Sequence, residues 1–297
     1  MPNTLAHFAV NGLITRGLIA RAELPWVYAG CVIPDVPWIF QRATKILFPG
    51  IDAYDLRLFA VNQASLFVSL VLCAALSSVS VSWRRTFGIL GLGVLLHLLL
   101  DACQVKWANG VSLFVPFDWS LVRFDLFWPE NPLSYILTLG GILYFVAMLG
   151  PASSQAVSLT GKPIRWCLAS VFGVLYFVLP FLWIPQALSA DNHFVATLCL
   201  GENRTGRTIE FDRVPYSGDI DAPNLVSFAG ESLLVTGLEI PEKMRVSIRG
   251  KFVTPDTVAI RGYHIHHAAL RDFASYVGLS LAGGLWLWCL LWPIAPR

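Results

Sequence analysis

Residues 94–119 read VLLHLLLDACQVKWANGVSLFVPFDW. The first half is a hydrophobic helix suited to lipid, yet it carries His97 and Asp101. Residues four apart share one helix face. An Asp at the centre of a membrane helix costs about 2.5–3.5 kcal/mol on insertion scales. Asp101 lies near the end of its helix, so its cost is smaller, and His97 is one turn deeper. Two readings are open. A metal can take two ligands from one helix in this way, or a local His–Asp hydrogen bond seals the helix end.

The surrounding chain says which solvent this helix meets. Of 297 residues, 56% are hydrophobic and only 13% charged, with a mean hydropathy of +0.62. A soluble domain is about 45–50% apolar and about 25% charged. The composition is that of an integral membrane protein. A formal net charge of +2 gives no argument for nucleic acid or another polyanion. The six cysteines include no CxxC pair, so neither a zinc ribbon nor a disulfide framework is expected. The N-terminus lacks the basic region and cleavage site of a signal peptide, which makes Met1 part of the working protein.

A spanning helix needs about 20 mainly apolar residues. Five stretches qualify: 59–82, 86–104, 133–150, 164–185 and 275–294. Residues 4–20 form an amphipathic helix, placed either at the interface or inside the bundle. Segment 24–40 is apolar but broken by Pro34-Asp35 and Pro37. It reads as re-entrant or packed on the bundle, because broken backbone at membrane depth must be covered by protein or line a cavity.

Residues 186–272 change character. HFVATLCL, RTIEFDRV, SLLVTGLEI, MRVSIRGKFV and TVAIRGYHIHH alternate with period two between Gly, Pro and Asp breaks, the strand signature. Five or six short strands imply a small β-barrel or sandwich, an OB-like barrel being one option. The expected fold is therefore a polytopic α-helical membrane protein. It has about five spans, an N-terminal re-entrant or interfacial helical region, and a small inserted β-domain. Its parts are a membrane domain over 1–185, the β-domain over 186–272 and a last span over 273–297. Arg84 and Arg85, and Lys162 and Arg165, fall in short loops. The positive-inside rule makes those loops cytoplasmic and the β-domain extracytoplasmic. Arg16, Arg21, Arg42, Lys45 and Arg57 precede the first expected span and count the other way.

Two further ionisable groups sit in apolar sequence: His7 in MPNTLAHFAVNG and Asp35 in GCVIPDVPW. A lone His on an apolar face is usually core, and Pro-Asp is usually a turn. With His97 and Asp101, however, they make two imidazoles and two carboxylates, a donor set suited to Zn²⁺ and also to Mn²⁺ or Fe²⁺.

The ordered motifs AHFAVNG, GCVIPD and HLLLDACQVKWANGVSLFVPF resemble, over about residues 1–120, the bacterial LexA-binding, inner-membrane-associated hydrolases. These are also described as membrane-bound metal-dependent hydrolases. The resemblance implies a metal-dependent hydrolase of the bacterial inner membrane, with His7, Asp35, His97 and Asp101 at the family's polar positions. The chain departs from the family at an HRxxTHS stretch, where it reads YDLRLFAVNQASLF without histidine. One metal instead of two, or a scaffold that has lost metal and catalysis, follows from that departure.

Other features carry weaker signals. Trp107, Phe114, Phe117 and Trp119 either line an apolar mouth or, more simply, anchor the loop at the interface. Asp118 is either a further ligand or base, or a loop cap, the simpler reading. His264 and His266 share a strand face, but with no Cys or Glu nearby in sequence they read as interfacial polar groups. No GxSxG elbow, P-loop or Rossmann fingerprint appears. The expected activity is hydrolysis of a lipid-like ester or phosphoester at the membrane surface. A divalent metal, Zn or Mn, would be held by the quartet, and Asp35 or Asp101 would be available as base. The non-enzymatic alternative is a membrane anchor that presents a β-rich binding domain.

Overall fold

The computed structural model describes residues 3–153, 155, 157–219, 222–238, 240–267 and 270–291. The chain opens with a helical hairpin, α1 (Thr4–Leu18) and α2 (Leu24–Val32). The Asn3 side chain caps α1 by accepting from the Ala6 N–H, one of the orphan donors of a helix start. His7, Asn11 and Thr15 on α1 are fully buried, so α1 packs inside the bundle and is not interfacial. A 3₁₀ turn at Ile33–Asp35 leads into α3 (Val36–Leu47). Pro34 and Pro37 occupy first-turn positions, where a missing N–H is tolerated. The apolar segment therefore bends without becoming loop.

The first expected span, 59–82, is not one helix. It is split between α4 (Ala53–Gln63) and α5 (Leu66–Ser78), bent by 68°. Asp52 caps α4 and Ser65 caps α5, so a new helix start is written into the middle of the apolar run. Next come α6 (Trp83–Cys103), α7 (Pro132–Ser153) and α8 (Pro163–Leu182). The short α9 (Ile184–Ser189) and α10 (Val195–Cys199) precede the barrel, and α11 (Leu270–Leu291) follows it. Among the described residues, four helices, Trp83–Cys103, Pro132–Ser153, Pro163–Leu182 and Arg271–Leu291, are long and apolar enough to cross a membrane, five if the bent pair counts as one span. Positions 292–294 of the last expected span lie outside the described residues.

HFVATLCL is helical rather than a strand: it holds part of a 3₁₀ turn and α10. Its Val195 and Leu198 pack one face of a short helix against α4 and the barrel, and tertiary contact overrides the β-propensity. Five strands follow: β1 (Thr208–Tyr216), β2 (Asn224–Val226), β3 (Ser232–Thr236), β4 (Met244–Thr254) and β5 (Thr257–His266). They close in the order β1-β2-β3-β5-β4, with β3 and β5 parallel. The result is a closed barrel and not a sandwich. Alternate residues such as Ile209, Phe211, Leu225, Leu233, Val246 and Ile248 fill its interior, as period-two burial requires.

The bundle has two distinct ends. The α5–α6 link is tied to residues 158–160 by Val81 N–H to Ser158 O and Thr160 N–H to Val79 O. Arg85 donates to the carbonyls of Ala20 and Arg21 and pairs with Glu23. Arg16 and Arg21 therefore join Arg84, Arg85, Lys162 and Arg165 at the end away from the barrel. This corrects the expectation that they lie with the β-domain. The cause is the α1–α2 hairpin, which returns the chain to the barrel end before α3.

Candidate functional site

Close helix approach brings the polar residues together. A Cβ on Gly93 of α6 would lie 3.0 Å from the Gly30 Cα on α2, and one on Gly141 of α7 would strike the Leu5 carbonyl of α1. Only glycine allows these backbones to pack so closely. The Gly30–Gly93 contact sets the Cys31 carbonyl 2.7 Å from His97 Nδ1. A carbonyl only accepts, so Nδ1 is the donor in this bond and Nε2 is the nitrogen turned away from it.

That Nε2 faces carboxylates. It lies 3.7 Å from Asp35 Oδ1 and 4.0 Å from Asp101 Oδ2. His7 Nε2 lies 3.4 Å from Asp101 Oδ1, and the two imidazoles stack face to face with centroids 3.7 Å apart. His7, His97 and Asp101 form a group whose donor atoms lie within 4.8 Å of one another. Asp35 stands at its edge, with its side chain 18% exposed. All four sequence-selected residues thus meet in one region. His7 Nε2, His97 Nε2 and Asp101 Oδ1 are buried and make no well-aligned hydrogen bond, His7 and Asp101 meeting only through their 3.4 Å contact. Such atoms are rare in folded proteins and point to an ion, water or functional strain.

Sequence reasoning missed Lys106. It lies just past the end of α6, is nearly fully buried, and places Nζ 3.1 Å from Asp101 Oδ2. The signal was a lysine five positions beyond the acid, hidden by an interruption of the helical period.

Asp101 and Lys106 line a cavity of about 530 Å³ between the helices and the barrel, within the usual range for ligand sites of about 300–1,000 Å³. The barrel contributes Asp212, Arg213, Arg245 and His266. Asp212 and Arg213 occupy a break in the β1–β4 register between Phe211 and Val214, and Arg213 has φ of +51°. A bulge here turns two charged side chains toward the cavity instead of alternating them across the barrel wall. Burial raises the Asp212 carboxyl, but Arg213 chiefly outweighs this and holds it well below the usual carboxylate range. Residues 54–67 also reach the cavity, through Arg57, Val61 and Ala64.

A second cluster joins loop and barrel. Glu130 accepts from His264 Nε2 at 3.1 Å and His266 Nδ1 at 2.8 Å. The acid that no nearby sequence offered thus comes from the loop before α7, so these histidines are more than isolated polar groups. Glu130, His264 and His266 also have the donor spacing of a metal site. His266 Nε2 lies 2.8 Å from Ser247 Oγ, which reaches Asp212 Oδ1 at 3.1 Å. This Ser–His–Glu chain resembles a triad in its bonds, but Ser247 is fully buried and serves Asp212. Burial raises the Glu130 carboxyl, but its bonds to His266 and His264 outweigh that and hold it at about 2.

The loop aromatics divide. Trp107 stacks edge-on to Trp128 and lies under Arg249, which fastens the loop to the barrel. Trp119 packs on the Leu58–Ala187–Val195 cluster. Phe114 and Phe117 are exposed. Asp118 accepts from the Ser120 N–H and Oγ as a turn cap. No family model matches the chain, and no curated protein or solved structure matches it either.

Proposed function

We propose that this protein is a multi-pass hydrolase of the bacterial inner membrane, dependent on a divalent metal such as Zn or Mn. It acts on an amphiphilic ester or phosphoester at the membrane surface. The observation that carries this reading is that buried His7, His97 and Asp101, from α1 and α6, bring their donor atoms within 4.8 Å of one another. The donor set fits a divalent ion in type, and the His97 Nδ1 bond to a backbone carbonyl has the form that orients metal-binding imidazoles. Such an ion polarises a substrate oxygen and acidifies water.

The residues divide the work. His7, His97 and Asp101 hold the ion. Asp35, the more exposed acid and the one without a lysine partner, accepts the proton from water. Lys106, which lines the cavity beside Asp101, would offset charge that builds on the substrate.

Insertion in a membrane is supported by the apolar outer faces. Only 11% of the best window in α8 and 17% in α7 is buried in the protein. Exposed Val171, Val174, Phe177 and Phe181 form such a face. The six basic groups gathered away from the barrel favour an extracytoplasmic barrel, while Arg42, Lys45 and Arg57 stay at the barrel end and count the other way.

Elemental mass spectrometry of detergent-purified protein, resupplied with Zn²⁺ or Mn²⁺, tests the reading. Wild type is expected to retain an ion that His97→Ala and Asp101→Asn lose while still eluting as folded protein. A wild type that binds neither metal leaves a structural network sealed by Lys106 and Asp101, and with it the anchor-and-binding-domain alternative.

A further inference from the structure

The cavity beside the His–Asp group is strongly basic. Six of its lining residues are Lys or Arg: Arg42, Arg57, Lys106, Arg213, Arg245 and Arg271. Four are carboxylates, and three of these are engaged: Asp101 by Lys106, Asp212 by Arg213 and Asp272 by Arg271. The fourth, Glu130, holds His264 and His266. Among the described residues, no carboxylate comes within ion-pair distance of Arg42, Arg57 or Arg245. Arg42 donates to Tyr276 Oη and Arg245 to the Arg213 carbonyl.

Arg57 is the most telling. It sits over Trp38 at 4.9 Å and Phe228 at 5.2 Å. One Nη donates to Asn109 Oδ1 at 2.9 Å and contacts His193 Nδ1 at 3.3 Å. Its Nε is buried and has no partner, and neither has Arg213 Nη1. A guanidinium does not shed its charge by deprotonation, and an unpaired buried charge is costly. Arg57 is the one of these without a carboxylate that is also largely buried, Arg213 keeps one Nη free beside its pair with Asp212, and the exposed Arg42 and Arg245 complete the lining. Guanidinium groups gathered on one cavity match the multiple anionic oxygens of a phosphate, which arginine binds by paired N–H donors.

We propose that Arg57, Arg213 and Arg245 bind the phosphate group of an amphiphile, making the substrate class an anionic lipid phosphoester and not a neutral ester. The inference rests on the hydrolase reading for the reaction but on the arginines alone for binding. The end of α6 at Cys103 and the start of α11 at Leu270 flank this lining. If those helices span, helix ends mark the level of lipid headgroups, which favours a membrane-borne phosphate over a free one.

The test compares binding of dihexanoyl phosphatidic acid, dihexanoylglycerol and inorganic phosphate to detergent-purified full-length protein by calorimetry, with metal content recorded in parallel. Wild type is expected to prefer phosphatidic acid to both by about tenfold or more, as a charge-assisted contact worth about 1.4 kcal/mol gives. Arg57→Gln and Arg245→Gln should each remove most of that preference without changing metal content. Arg57→Lys should restore it only in part, because a lysine lacks the fork. Equal binding of phosphatidic acid and dihexanoylglycerol overturns the inference. Inorganic phosphate binding as tightly as the lipid overturns its membrane-borne source. Phosphatidic acid preference in a protein that holds no metal leaves phosphate binding by the arginines standing and removes the hydrolase reading, and with it the substrate class. Metal without that preference does the reverse.

Discussion

His7 on α1 and His97 on α6 lie face to face, their ring planes 5° from parallel. Parallel rings direct their in-plane lone pairs side by side and not at one point. An ion shared by both rings therefore requires them to open away from parallel. The bond from His97 to the Cys31 carbonyl fixes one ring, so His7 is the ring that must turn.

Lys106 would compete with a bound cation for Asp101. The two charges are 3.1 Å apart and both largely buried, where an ion pair is far stronger than in water. Lys106→Gln should tighten Zn²⁺ binding by about tenfold, or about 1.4 kcal/mol, read by competition with a chromogenic chelator. A purely structural network gives a different outcome: no metal, and a stability loss of about 3–5 kcal/mol from breaking a buried pair.

Gly93→Val should drive α2 off α6, since even a Cβ there meets the Gly30 Cα at 3.0 Å. Overpacking of this kind costs about 1–3 kcal/mol, visible as a lower thermal midpoint. The shift also pulls the Cys31 carbonyl from His97, so metal affinity should fall about 10–100-fold, as when an outer support of a ligand is lost. An unchanged midpoint contradicts the close packing of α2 on α6.

Glu130 ties the loop to the barrel, and its carboxyl is held at about 2 in the folded protein. The unfolded reference is about 4.3. A depressed acid stabilises fully above the unfolded value, and that contribution is lost as pH falls through the folded one. Glu130→Gln should therefore lower the thermal midpoint near neutrality, with the gap to wild type closing between about pH 4.3 and pH 2. A gap that stays constant over this window counts against the ion-paired carboxylate.

Cys199 beside the barrel is exposed, while Lys162 lies at the opposite end. In a protein whose other exposed cysteine, Cys167, is replaced by Ser, an impermeant maleimide added from outside the cell should label Cys199. With Lys162→Cys as the sole exposed cysteine, it should react only after the membrane is opened. Labelling of both from one side would falsify the spanning topology.

The residue pattern alone determined much of this protein. Apolar runs of about twenty residues gave α6, α7, α8 and α11, because helix length and lipid thickness impose the same period and extent. Alternation gave β1, β3, β4 and β5. His7, Asp35, His97 and Asp101 stood out because ionisable groups in apolar sequence need partners. Only the tertiary structure decided the rest. Capping by Ser65 split an apolar run that hydropathy reads as continuous. The α1–α2 hairpin moved Arg16 and Arg21 to the end away from the barrel. Lys106, Glu130 and the β1 bulge entered the cavity through contacts between segments far apart in the chain. Local periodicity records which face of an element is buried, not which distant side chain that face will meet, and a cavity shared by helices and barrel is made only of such meetings.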